Sequence, residues 1–130
     1  ILSYSISLSP NMKMIDEMLE RLFCTREIKK GVIMHSDQGA LYQSSSYQKN
    51  LADKGIVQSM SRKATCLDNA VIENFFGLLK SEMFYGKEFE SIEHFTEELK
   101  EYIRYYNEDR IKIKLDGLSP VQYRLTKFAS

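Results

Sequence analysis

The chain has 130 residues, 43% of them hydrophobic and 28% charged, and its 18 Lys and Arg balance 18 Asp and Glu. That length and mixture fit a single core-forming domain and exclude an intrinsically disordered chain. No run nears the roughly 20 apolar residues of a membrane-spanning helix, so no membrane partner is expected.

Leu2, Tyr4, Ile6 and Leu8 alternate with Ser3, Ser5, Ser7 and Ser9, the pattern of a strand with one buried face. Ser9 and Pro10 read as N-cap and first residue of a helix, with Met12, Ile15, Leu19, Leu22 and Phe23 at helical spacing as its core face. Gly31–Met34 opens a short, wholly apolar strand suited to the middle of a covered sheet. It ends at His35, Ser36 and Asp37, which puts Asp37 at a strand's carboxyl end, where ligand sites of open α/β sheets gather. Gln38 and Gly39 make a turn. Ser44–Lys54 reads as a helix with Tyr47 and Leu51 inward and Gly55 as its C-terminal cap. Ile56–Met60 is the next strand, so strand, helix and strand imply a right-handed parallel crossover.

Ser61–Leu67 is a basic, polar loop. Asp68 then caps a helix whose buried face is Ile72, Phe75, Phe76, Leu79 and Met83. Asn69, Glu73 and Lys80 fall on another stripe, spread over roughly 40° of the helix surface. Gly77 on that stripe removes bulk, for a close approach either by a DNA backbone or by another helix. Ser91 caps a longer helix with Ile92, Phe95, Leu99, Tyr102, Ile103 and Tyr106 inward and a Glu-rich outer face. Arg110, Lys112 and Lys114 follow, either as phosphate contacts or as cations favourable at a helix C-terminus. Leu118–Arg124 reads as a capped last helical turn folding back on the rest.

Zero net charge gives no support for a nucleic-acid partner, but the charges are segregated. Residues 24–63 hold seven bases against three acids, residues 104–130 six against three, and residues 82–101 seven Glu against two Lys. This arrangement gives either a basic face near the site with an acidic helix away from it, or ordinary solvated faces. Cys24 and Cys66 have no CxxC or Cys/His partners and read as free thiols of a reducing cytoplasm. Ile1 opens no basic-then-apolar leader, so no signal peptide is expected.

Asp37 and Glu73 are separated by 35 residues. A carboxylate at a strand end and one on a helix can share a divalent cation if the fold brings them together. Hard cations such as Mg²⁺ take carboxylate oxygens and keep waters for substrate phosphates.

HSDQG at 35–39, MSRK at 60–63, DNAVIENFFGLLKSE at 68–82, YYNEDR at 105–110 and LDGLSPVQYR at 115–124 are ordered along almost the whole chain. Together they resemble the catalytic half of insertion-sequence transposases of the IS3 family type, which have a retroviral-integrase-like core with a D,D(35)E acidic triad. The resemblance implies DNA transposition or integration by metal-dependent phosphoryl transfer. Water attacks a phosphodiester at the transposon end, and the freed 3′-OH then attacks target DNA. Asp37 and Glu73 match the second and third acids, as catalytic residues and as ligands of two Mg²⁺ or Mn²⁺ ions. Lys80 matches the family's basic residue seven positions after the Glu. Asn69, Arg62, Lys63 and Arg110 join it as DNA-binding candidates. His35 reads either as a site residue or as a partly buried structural one.

The implied fold is α/β and RNase H-like, a mixed five-stranded sheet flanked by helices, with residues 1–115 as core and 116–130 as a tail packed on it. The first acid has no match, since Asp16, Glu17, Glu20 and Glu27 fall in or just after a helical pattern. The chain is therefore expected to be a C-terminal fragment that lacks the first two strands and is inactive alone, and either marginally stable or assembled with another chain. Ala64 and Thr65 replace the family's usual Gly-Asn pair, which implies a strained or reshaped loop if that turn needs positive φ. Expected partners are DNA, both transposon ends and target, and a homo-oligomer or full-length transposase, in the bacterial cytoplasm at the nucleoid. The alternative is a non-catalytic remnant that binds DNA or an intact protomer; a third reading is a stand-alone nuclease of the same fold.

Overall fold

The computed structural model describes residues 1–62 and 66–128. Their contacts divide the chain into two compact units, Leu2–Asn74 and Phe75–Ser130, with Ile1 belonging to the second.

In the first unit, helix α1 spans Met12–Thr25. Its N-cap is Asn11, whose side chain accepts the Met14 N–H at 2.9 Å. Ser9 and Pro10 therefore lie just outside the helix rather than opening it. Ile15 and Leu19 from α1 meet Tyr47 and Leu51 from helix α2 (Ser45–Asp53) and Ile56 in one buried cluster. Met12 and Phe23 pack on its edge. Full burial of a Leu such as Leu51 contributes about 1.5–3 kcal/mol. Ser44 caps α2 through the Tyr47 N–H, and Gly55 ends it at φ +71, a left-handed conformation costly for other residues.

Strands β1 (Ile33–Ser36) and β2 (Val57–Met60) pair in parallel, Ile33 opposite Val57 and Ser36 opposite Met60. The crossover through α2 runs as the spacing implies. The covered sheet does not appear: Ile33 is 65% and Val57 52% exposed, and the two strands are the whole sheet among the described residues.

The expected strand at Leu2–Leu8 is also absent; residues 1–7 carry no regular structure. A strand needs a partner for its backbone, and no described residue pairs with this segment. The serine face turns instead to α1. Ser3 Oγ donates to the Met18 carbonyl at 2.7 Å and Ser5 Oγ to the Met14 carbonyl at 2.6 Å. Leu2 and Leu8 are left exposed.

Helix α3 spans Ala70–Leu79 and continues into a single π-helical turn at Lys80–Phe84. In the second unit, Phe75 sits edge-on to Tyr106 at 5.0 Å between ring centroids. Tyr106 lies on helix α4 (Ile92–Glu108), capped by Ser91 through the His94 N–H. Phe75 and Met83 are buried as expected, and Leu79 is half-buried. Ile72 and Phe76 remain about half exposed, and Ile92 of α4 is exposed too. Periodicity identifies residues that share a face; it does not say that anything covers the face. Helix α5 (Pro120–Phe128) opens on a reciprocal cap: Ser119 N–H donates to Gln122 Oε1 at 3.0 Å, and Gln122 N–H to Ser119 Oγ at 3.3 Å. α5 packs on α4. Among the described residues, no helix is long and apolar enough to cross a membrane.

Candidate active site

Asp37 follows β1 directly and is exposed. Its Oδ1 accepts the Gly39 N–H at 2.8 Å, which folds the Asp-Gln-Gly segment into a tight turn. A Cβ at Gly39 would lie 2.9 Å from that oxygen and 3.4 Å from the Tyr42 ring. Glycine is required here by proximity, since its backbone at φ −54, ψ 146 is open to any residue. Among the described residues, Asp37 has no cationic partner.

Ser61, the residue after β2, is 4% exposed and bonded through three groups. Its N–H donates to the Ser36 carbonyl at 2.7 Å, its carbonyl accepts Gln38 Nε2 at 3.1 Å, and its Oγ accepts Asn69 Nδ2 at 2.9 Å. Ser36 and Gln38 flank Asp37. Asn69 immediately precedes α3, and Glu73 stands one turn further along that helix. The segments carrying the two acids are thus joined through one buried residue. Glu73 is exposed, with no ion pair among the described residues.

Asp68 does not cap α3. It lies in a 3-10 turn at Cys66–Asn69, and its carboxylate takes Arg62: the backbone N–H at 2.8 Å, Nε at 3.2 Å and Nη2 at 3.1 Å. The Arg62 guanidinium, then its backbone N–H, hold the Asp68 carboxyl below the usual carboxylate range. The carboxylate is turned toward the preceding loop, and no N–H of α3 donates to it among the described residues. His35 is exposed, not partly buried, and its Nδ1 shares a 2.9 Å hydrogen bond with Ser59 Oγ across the sheet.

The DNA-binding candidates separate into distinct environments. Lys80 opens the π-helical turn, exposed and without an ion pair among the described residues. A Cβ at Gly77 would meet nothing within 4 Å, so among the described residues of its own unit no helix packs against it. Arg62 is held by Asp68 and Asn69 by Ser61, while Lys63, with Ala64 and Thr65, lies outside the described residues. Arg110 donates from Nε to both Glu82 oxygens, at 2.7 and 3.1 Å, and Tyr102 donates to the same carboxylate at 2.9 Å. The Arg110 guanidinium, then the Tyr102 hydroxyl, hold the Glu82 carboxyl below its ordinary value.

A family model described as integrase core domain matches residues 1–66, and a second of the same description matches residues 73–128. The chain belongs to the integrase core family. Its fold is that of the catalytic core domain of BIV integrase, with a TM-score of 0.68 at 17% identity, over 92% of this chain and 76% of that one. The RNase H-like α/β class read from the motifs is therefore met. This integrase core chain is 49% identical over 124 residues to the putative transposase InsK for insertion sequence element IS150 of Escherichia coli, covering 95% of this chain and 44% of that protein. It is 37% identical over 120 residues to the transposase InsF for insertion sequence IS3A of the same organism, covering 90% of this chain and 42% of that one. An uncharacterized transposase-like protein of Haemophilus influenzae is 49% identical over 124 residues, 57% of its length. The likeness to insertion-sequence transposases with an integrase-like core holds, and the chain spans about half the length of the curated relatives it matches.

The donor set suits a hard divalent cation. Both acids are exposed carboxylates; Asp37 commits one oxygen to Gly39, and neither acid forms a salt bridge among the described residues. Oxygen donors of this kind fit Mg²⁺ or Mn²⁺ rather than a thiolate-seeking metal. No group of three His, Cys, Asp or Glu placed to hold a metal occurs among the described residues.

Sequence reading missed Ser61, Gly39 as a spacer, and the Arg62–Asp68 pair. A serine in a polar loop carries no signal of its own. Opposite charges six apart were visible, but only a loop that turns back makes them a pair.

Proposed function

We propose that this integrase core chain carries part of a DNA strand-transfer site, in which Asp37 and Glu73 are the catalytic carboxylates and ligands for Mg²⁺ or Mn²⁺. The reaction class is phosphodiester cleavage and strand transfer in transposition. The observation that supports it most is the path of hydrogen bonds through Ser61, which ties the Asp37 turn to the start of the Glu73 helix. When bound, two such ions supply activation of the attacking oxygen and stabilisation of the leaving one. Asp37 and Glu73, neither in an ion pair among the described residues, would hold them. Lys80 contacts a DNA phosphate, and Gly77 leaves room for the backbone. Arg62 and Asn69 border the site and meet DNA from the positions in which Asp68 and Ser61 hold them; Lys63 follows Arg62. Arg110 acts through Glu82, and a phosphate contact competes with that pair. The protein works in the cytoplasm at the nucleoid, with transposon ends, target DNA and further transposase protomers as partners. The test is Mg²⁺-dependent strand transfer into target DNA from oligonucleotide ends. Loss of product on Glu73→Gln is expected; transfer that persists in this variant overturns the assignment.

A second reading has its own observation. Two carboxylates, without a third beside them among the described residues, fit a non-catalytic transposase chain that binds DNA or an intact protomer. Oligonucleotide binding weakened by Lys80→Ala, with no strand transfer at any Mg²⁺ concentration, selects this reading.

A further inference from the structure

Resting on the proposed shared cation, we infer that Ser61 is a positioning residue for the acidic pair, a latch that fixes the start of α3 to the strand ends. All three of its polar groups are used. The N–H and carbonyl grip Ser36 and Gln38 on either side of Asp37, at 2.7 and 3.1 Å. The hydroxyl receives the Asn69 amide at 2.9 Å, one helical turn before Glu73. Burial to 4% exposure removes water as a competitor for these bonds. The backbone bonds survive substitution at this position, whereas the hydroxyl bond does not. Ser61→Ala therefore releases the Glu73 side of the latch and leaves the Asp37 side in place. Next to it, Arg62 N–H and guanidinium on Asp68 close the same loop, so the helix start keeps a tether and the fold survives. The loss is one of registration between the acids. Ser61 touches neither metal nor DNA in this account.

The test measures Mn²⁺ binding to the full chain by loss of the free-ion paramagnetic resonance signal, together with the thermal midpoint. Wild type is compared with Asp37→Asn, Glu73→Gln, Ser61→Ala, Ser61→Thr, Asn69→Ala and the Ser61→Ala/Asn69→Ala double variant. Ser61→Ala and Asn69→Ala each weaken Mn²⁺ binding by roughly tenfold or more, in the range for outer-shell partners of metal ligands. The double variant is no weaker than either single one, because both remove the same bond. Ser61→Thr, which keeps the hydroxyl, restores binding, and every variant still unfolds cooperatively. Binding that depends on both acids but ignores Ser61→Ala overturns the latch alone. Additive losses in the double variant overturn it too. Binding that ignores Asp37→Asn and Glu73→Gln overturns the shared-cation reading and the latch with it.

Discussion

Gly39→Ala tests the site more sharply than the fold, because the fold has a partly compensating gain and the site has none. The added Cβ would sit 2.9 Å from Asp37 Oδ1, closer than side-chain carbons approach oxygens, and 3.4 Å from the Tyr42 ring. The carboxylate is the mobile partner, so it moves, and its 2.8 Å bond to the Gly39 N–H lengthens or breaks. A hydrogen bond to a charged group is worth about 1.5–3 kcal/mol. With each tenfold equal to about 1.4 kcal/mol, that range is roughly ten- to a hundredfold in affinity, the cost commonly found when a metal ligand loses its supporting partner. The backbone at Gly39 is already accessible to alanine, and replacing glycine under that condition stabilises by about 0.4–1 kcal/mol through the unfolded chain. The expected outcome is Mn²⁺ binding weakened roughly ten- to a hundredfold, with a fold destabilised by at most about 0.5–2.6 kcal/mol, the cost of the lost bond less the gain in the unfolded chain. Paramagnetic resonance titration and calorimetry of the same sample give both numbers. Undiminished Mn²⁺ affinity in Gly39→Ala refutes the claim that Asp37 is held in a ligand geometry by its turn.

Asn11→Ala removes the cap of α1 and costs about 1 kcal/mol in chemical denaturation, whereas Ser9→Ala, outside the helix, leaves the midpoint within about 0.5 kcal/mol. Equal costs contradict the helix start at Met12. Glu82→Gln breaks the pair with Arg110 and weakens the bond from Tyr102, for about 1–3 kcal/mol at neutral pH given partial exposure. Because Glu82 is held below its ordinary value, its contribution is present above about pH 4.3, the unfolded-state value, and fades as pH falls through the lower folded value. The gap between wild type and Glu82→Gln in thermal melts therefore narrows on acidification; a gap that widens contradicts the pairing. Arg110→Ala reproduces the neutral-pH loss.

Local chemistry was most legible where one residue decides it. Ser44 and Gly55 bracket α2, and Ser91 opens α4, because a hydroxyl acceptor and a left-handed glycine are needed at those positions whatever surrounds them. The cores of α1 and α2 followed from helical spacing for the same reason. Partnership was not legible. The alternation at Leu2–Leu8 describes a segment able to be a strand, yet pairing depends on a neighbour elsewhere, and its serines found α1 carbonyls instead. Ile33, Ile72 and Phe76 read as core and stand exposed because nothing among the described residues covers them. The site divides likewise. Asp37, Glu73 and Lys80 carry the motif spacing. Ser61 and the Arg62–Asp68 pair act through contacts that only a folded loop creates. Arg110 shows the reverse: a basic residue in a family signature, bound to an acid 28 positions earlier in the chain.

The proposed site requires that one cation visit both acids. Substoichiometric Mn²⁺ added to the ¹⁵N-labelled chain broadens amide signals steeply with proximity. With a shared ion, the amides of Gln38–Gly39 and of Asn69–Glu73 fade together at the same Mn²⁺ concentration, and either Asp37→Asn or Glu73→Gln restores both groups. Fading of one group alone, or restoration confined to the substituted side, contradicts a shared ion.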